Sequence, residues 1–178
     1  SIYIDNGDIT TVNLKFLRSK LTIIPQDPSL VKGTLKYNID PLRLKTDKEI
    51  EEVMRSIDFW YITEKSNEGL EMMISDNGDN VSAGEKQMIC ITRAILRKSK
   101  IVVMHEATAN IDTRTEHIIQ KAINVMFKHS TILTIAHRIK TIIDYDRILV
   151  LKDGEVAEFD TPEALLRNKQ TIFYDLYK

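Results

Sequence analysis

"IVVMHEATANID" (residues 101–112) is the stretch on which the fold turns. Its first four residues are apolar, and Ile101, Val102 and Val103 are β-branched, so it reads as a buried strand. The run ends in His105 and Glu106, followed by a short polar turn, so the strand carries two ionisable side chains to its tip. Asp112 is placed to cap a helix over 113–127, "TRTEHIIQKAINVMF", where Ile118, Ile119, Ala122, Ile123 and Met126 fall at helical spacing. "TILTIA" (131–136) reads as the next strand. Strand, helix and strand in this order predict βαβ units around a mainly parallel sheet.

Farther downstream, "DRILVLKDGEVAEF" (146–159) predicts a hairpin turning at Asp153-Gly154. "TPEALLRN" (161–168) opens with Thr161 as a cap and Pro162 at the first helical position, a helix start. Upstream, "LTIIPQ" (21–26) is strand-like, and helical signals follow it. Thr46 and Glu49 have capping-box spacing ahead of "EIEEVMRSI", and Ser82 and Glu85 have it ahead of "KQMICITRAILRK". Residues from about 34 to 98 therefore read as mostly helical material inserted between two sheet strands, with ends uncertain by about 2 to 4 residues.

A chain of 178 residues can build one sizeable domain with a core of normal depth. It is 43% hydrophobic and 29% charged, and its 25 basic residues nearly cancel 26 acidic ones to leave a formal charge of -1. That balance argues against a sequence-wide attraction to nucleic acid or to an anionic membrane surface. A single cysteine, Cys90, lies in the apolar run "QMICITRAIL" and can form no internal disulfide, which fits a reducing setting. No apolar stretch approaches the roughly 18 residues needed to span a bilayer.

Taken singly, "VSAGE" or a glutamate at a strand end carries little; their order carries more. "IIPQDPSLVKGTLKYNIDP", "VSAGEKQMICITRAIL", "IVVMHEATANID" and "TILTIAHR" follow one another as in the nucleotide-binding domain of an ATP-binding cassette (ABC) transporter. The resemblance covers nearly the whole chain. "VKGTLKYNIDP", "TDKEIEEVM" and "ILVLKDGEVAEFDTPEALL" look most like the C-terminal nucleotide-binding domain of subfamily C, the multidrug-resistance-associated type. It implies an α/β fold of the P-loop NTPase class, with a mainly parallel sheet flanked by helices and an inserted helical subdomain. The implied domain spans 1–178 and is incomplete at its N-terminus.

The resemblance also implies roles. Gln26 falls at the Q-loop glutamine, which touches magnesium or water and senses nucleotide. Ser82, Ala83, Gly84 and Glu85 lie in the signature, which caps the γ-phosphate of ATP held by the opposite domain. Glu106 is the carboxylate that polarises the attacking water, Asp112 belongs to the D-loop at the domain interface, and His137 is the switch histidine that hydrogen-bonds the γ-phosphate. These assignments are chemically sound. A helix N-terminus opening at Ser82 presents unpaired N–H groups and a partial positive charge to a phosphate. Phosphoryl transfer needs chiefly positioning and charge neutralisation, so one carboxylate orienting water suffices. The implied cofactors are ATP and Mg²⁺. The implied partners are a second nucleotide-binding domain, arranged head to tail, and the transmembrane domains of the same transporter, with the domain on the cytoplasmic face of the membrane and no nucleic acid involved.

Three departures qualify this. No G-x-x-x-x-G-K-[ST] loop is present, because none of the six glycines is followed by lysine. That loop lies upstream of Ser1 in the family, so the 178 residues alone are expected to bind ATP poorly and to be inactive. His105 occupies the position of the aspartate that holds magnesium through water. Mg²⁺ prefers oxygen donors in octahedral geometry, and a neutral imidazole replaces neither the oxygens nor the charge. Finally, Val81, Ala83 and Glu85 stand where Leu, Gly and Gln are usual, and Glu85 places a carboxylate beside a phosphate site. Two further readings stay open: a degenerate regulatory domain that dimerises without hydrolysis, and a soluble ABC ATPase outside transport.

Overall fold

In the computed structural model the described residues are 1–105, 111–136, 139 and 142–178. They form two compact units, Ser1–Thr134 and Ile135–Lys178.

The first unit opens with a two-stranded hairpin, β1 (Tyr3–Ile4) and β2 (Gly7–Asp8), turned through Asp5 and Asn6 at φ 48° and 66°. Helix α1 (Leu14–Lys20) follows, capped by Asn13, whose side chain accepts from the Lys15 and Phe16 N–H groups. It runs directly into β3 (Leu21–Ile24). Next come β4 (Gly33–Thr34), α2 (Leu35–Ile39), α3 (Asp47–Ser56), β5 (Met73–Ile74) and α4 (Ala83–Arg97). Short 3₁₀ turns at Trp60–Lys65, Gly69–Glu71 and Asp76–Gly78 link them. The chain then enters β6 (Ile101–His105), α5 (Thr113–Met126) and β7 (Thr131–Ile135).

β3 and β6 pair in parallel, Leu21 opposite Ile101 and Ile24 opposite Met104, and β7 lies on the other side of β6. The inserted material is mostly helical, as the sequence predicts, but it also contains a short antiparallel pairing of β4 with β5. β6 is fully buried only at Val102 and Met104, with Ile101 and Val103 half-buried. Along β3, Thr22 and Ile24 are buried and Ile23 is exposed. The sheet thus has one face packed into a core built with Met88, Ile91 and Ile95 of α4 and Ile119 and Ile123 of α5. Both capping boxes form: Thr46 with Glu49 at α3 and Ser82 with Glu85 at α4.

The second unit contains the hairpin of β8 (Ile148–Lys152) and β9 (Glu155–Asp160), with a bulge between Val150 and Leu151. It turns at Asp153 and Gly154, at φ 53° and 82°, the pair of left-handed conformations that a two-residue hairpin turn requires. Helix α6 (Pro162–Arg167) is capped by the Thr161 side chain with Pro162 in its first turn. A last helix, α7 (Ile172–Tyr177), is capped by Thr171 and by the Glu158 carboxylate, which accepts from Ile172 N (2.5 Å) and Phe173 N (3.1 Å). Ile148, Leu165 and Phe173 form this unit's own buried cluster.

Candidate functional site

The N-terminus of α4 is a built helix end. Ser82 adopts an extended conformation and its Oγ accepts from Glu85 N at 3.2 Å, while Ser82 N donates to Glu85 Oε2 at 2.8 Å. The helix ladder starts with Lys86 N donating to Ser82 O at 2.9 Å. Ala83 and Gly84 sit at the first two helical positions, so their N–H groups lie outside that ladder, and Ser82 Oγ keeps its own hydrogen to donate. Ser82 and Ala83 are exposed. Gly84 is buried behind them, so the exposed group is the Ser82 hydroxyl with the Ala83 backbone at the positive end of a long helix, which can bind phosphate oxygens.

Glu85 has both carboxylate oxygens committed to partners. Its carboxylate is buried, folded back onto Ser82 N through one oxygen and paired through the other with Lys65 Nζ at 2.6 Å. Burial pushes the Glu85 carboxyl up, but the Lys65 hydrogen bond and charge and the Ser82 N–H outweigh it and hold the group below its ordinary value. Lys65 escapes sequence reasoning, because it lies on a separate 3₁₀ turn with no motif of its own.

Gly84 has a packing role. A Cβ placed on it would fall 2.7 Å from Thr115 Cγ2 on α5, so the missing side chain lets α4 and α5 approach. One turn along, Gln87 is buried, and its Nε2 donates to Pro25 O at 3.2 Å. That bond ties α4 to the residue before Gln26, which is half-buried just beyond β3. Gln87 is another residue without a sequence signal, since its partner is a backbone carbonyl far along the chain. Arg93, on the same helix, donates through Nε and Nη2 to Asn38 O.

His105 ends β6 and is exposed. Because β3 and β6 are adjacent and parallel, Gln26, just past β3, and His105, the last residue of β6, lie at the same end of the sheet. Among the described residues, no group of three or more His, Cys, Asp or Glu could hold a metal ion. One amide and one imidazole are a poor donor set for Mg²⁺, so these residues alone do not fit it. Asp112 caps α5, its Oδ1 accepting from Thr115 N at 3.0 Å. The same Thr115 therefore joins the cap of α5 to the close approach at Gly84. Glu106 and His137 lie outside the described residues. No helix among the described residues is long and apolar enough to cross a membrane.

Comparison with known proteins agrees with this architecture. The family model described as "ABC transporter" matches residues 1–109. The chain is 49% identical to "ABC transporter C family MRP4" of Zea mays over 98% of its own length, and 43% identical to "ATP-binding cassette sub-family C member 4" of Homo sapiens over the same share. It spans 12% and 13% of those two relatives. Among solved structures, a bacterial Atm1-family ABC exporter with ATP bound superposes with a TM-score of 0.89 at 33% identity, over 98% of this chain and 31% of that one. The mixed α/β fold with its parallel sheet is therefore that of an ABC ATPase, and the chain belongs to the ABC transporter family.

Proposed function

We propose that this chain is the signature-bearing part of a nucleotide-binding domain in a subfamily C transporter, where the N-terminus of α4 caps ATP held by a second such domain. One observation carries the reading: Ser82 and Ala83 are exposed at the N-terminus of α4, while the Glu85 carboxylate beside them is held by Ser82 N and paired with Lys65. The two domains would meet head to tail, with Asp112 near their interface. Gln26 would touch the nucleotide's surroundings, Glu106 would orient the attacking water, and His137 would donate to the γ-phosphate. Transmembrane domains of the same transporter would couple this cycle to solute movement, with the domain on the cytoplasmic face. ATP supplies the phosphoryl group; the residues of this chain hold, orient and exclude.

The test uses the complete polypeptide that carries this chain. Ser82→Arg removes the cap and crowds that helix end, and ATP turnover is expected to fall on the order of 100-fold. Turnover equal to that of the native protein would refute the capping role. His105 favours a second reading, a regulatory domain that dimerises without hydrolysis. That reading gains if Glu106→Gln leaves turnover of the complete polypeptide unchanged.

A further inference from the structure

We propose that Lys65 is a positioning residue for nucleotide capping: its ammonium cancels the Glu85 carboxylate built into the N-terminus of α4, so that a triphosphate can approach that helix end at Ser82 and Ala83. This rests on the reading of that helix end as the nucleotide cap.

Two demands meet at this helix end. A carboxylate in the first turn stabilises the helix through the capping box and the macrodipole. The same carboxylate repels any phosphate bound there. Glu85 satisfies the first demand by accepting from Ser82 N, and its side chain is only 6% exposed, so water screens it poorly. The ordinary signature residue at this position, a neutral glutamine, would avoid the conflict. In this chain the carboxylate is compensated by Lys65 Nζ, 2.6 Å from Oε1.

Lys65 is well placed for this. It ends the 3₁₀ turn Trp60–Lys65, whose Ile62 and Thr63 are buried, and Thr63 Oγ1 donates to Trp60 O at 2.8 Å. The turn is thereby fixed to the core. The Lys65 side chain itself is 46% exposed while the Glu85 carboxylate it pairs with is buried. Burial and low screening make the uncompensated carboxylate costly to a neighbouring anion, on the order of 10- to 100-fold in affinity.

The experiment compares Lys65→Gln, Lys65→Arg and the double variant Lys65→Gln/Glu85→Gln in the complete polypeptide, with Ser82→Arg as a parallel arm. ATP turnover, its ATP dependence and the melting temperature are measured for each. Lys65→Gln keeps a hydrogen-bond donor for Glu85 but drops the charge. It is expected to lower kcat/KM by about tenfold or more. Lys65→Arg should stay near the native value, and the double variant should recover most of the loss. The deficit of Lys65→Gln should shrink as salt is raised, which a packing defect would not show. Lys65→Gln within twofold of native, or a double variant no better than the single, overturns the role of Lys65 when Ser82→Arg is impaired. If Ser82→Arg also retains full turnover, the capping reading itself falls, and the role of Lys65 with it.

Discussion

Gly84 on α4 and Thr115 on α5 are in such close apposition that a Cβ on the glycine would lie 2.7 Å from Thr115 Cγ2. Real Cβ atoms do not approach that closely, and both helices are held by the one core they share. Gly84→Ala is therefore expected to destabilise the fold by about 1 to 3 kcal/mol, through the strain of overpacking. That loss exceeds the modest helix-propensity gain of alanine. Thr115→Ser removes the offending methyl while keeping the hydroxyl, so Gly84→Ala/Thr115→Ser should regain most of the stability. Urea denaturation of the two variants checks this, and a double variant as weak as the single would disprove the steric account.

Glu85 sets an acid limb in the stability profile. Its carboxyl is held below its ordinary value of 4.5 in the folded chain. A group depressed on folding contributes stability that is fully present above its unfolded value and is lost as pH falls through its folded value. Unfolding free energy should therefore decline below about pH 4.5, and Glu85→Gln should flatten that decline. Denaturation midpoints measured from neutral pH down to about pH 3 read it directly. Asp8 and Glu49 are also depressed, by hydrogen bonds from Thr10 and Thr46, but both are less buried than Glu85 and should leave a shallower residual slope.

Much of this arrangement was legible in the sequence because its signals are local. Asp112, Thr46, Ser82 and Thr161 cap helices that begin where their side chains dictate. The Asp153-Gly154 turn follows from two residues that tolerate left-handed backbone. Helix α1 was missed for a physical reason: none of its residues is buried, and Leu14 and Phe16 are exposed, so no apolar stripe marks it. The β4–β5 pairing was missed because two-residue strands carry no periodicity. At the site, Ser82, Gly84 and Glu85 stood out through their order. Lys65 and Gln87 did not, because each acts through a partner distant in sequence. The direction of the Glu85 carboxylate also needed three dimensions. It depends on Lys65 arriving from another turn.

Asn38 is the fastener of the segment after β3. Its Nδ2 donates to Val31 O and Thr34 O at 2.9 and 3.1 Å, and its Oδ1 accepts from Val31 N at 3.0 Å. The residue is 1% exposed. Asn38→Ala strips three hydrogen bonds from part-buried backbone groups of Val31 and Thr34, and the expected cost is about 1 to 3 kcal/mol. Asn38→Asp keeps the acceptor for Val31 N but loses both donated bonds and buries a charge, so it should be no milder. Thermal melts of both variants test the point, and a shift of less than about 1 kcal/mol in Asn38→Ala would contradict it.

Thr22 of β3 and Ser99, just ahead of β6, share a buried hydroxyl pair at 2.6 Å. Either single change, Thr22→Val or Ser99→Ala, leaves the other hydroxyl without this partner in a buried site, at about 1 to 3 kcal/mol. The double variant removes both polar groups and should cost less than the sum of the singles, giving a coupling of at least about 0.5 kcal/mol in a double-mutant cycle. Strict additivity would mean that the pair contributes nothing specific to the β3–β6 junction.

His105 is where the chain's chemistry and its family part. It ends β6 beside the strand that leads to Gln26, and the sequence resemblance implies an aspartate holding magnesium through water at this position. An imidazole brings no negative charge and no oxygen donor, so metal retention should be weak. Loss of an outer-shell partner of this kind typically costs about 10- to 100-fold in metal affinity. His105→Asp in the complete polypeptide should lower the Mg²⁺ concentration needed for half-maximal ATP turnover by a comparable factor. The exposed position at the strand's end should leave the melting temperature nearly unchanged. Turnover is measured against Mg²⁺ at fixed ATP for both proteins. If the aspartate variant is no faster and no more avid for Mg²⁺ than the native protein, His105 is not the weak point of the site.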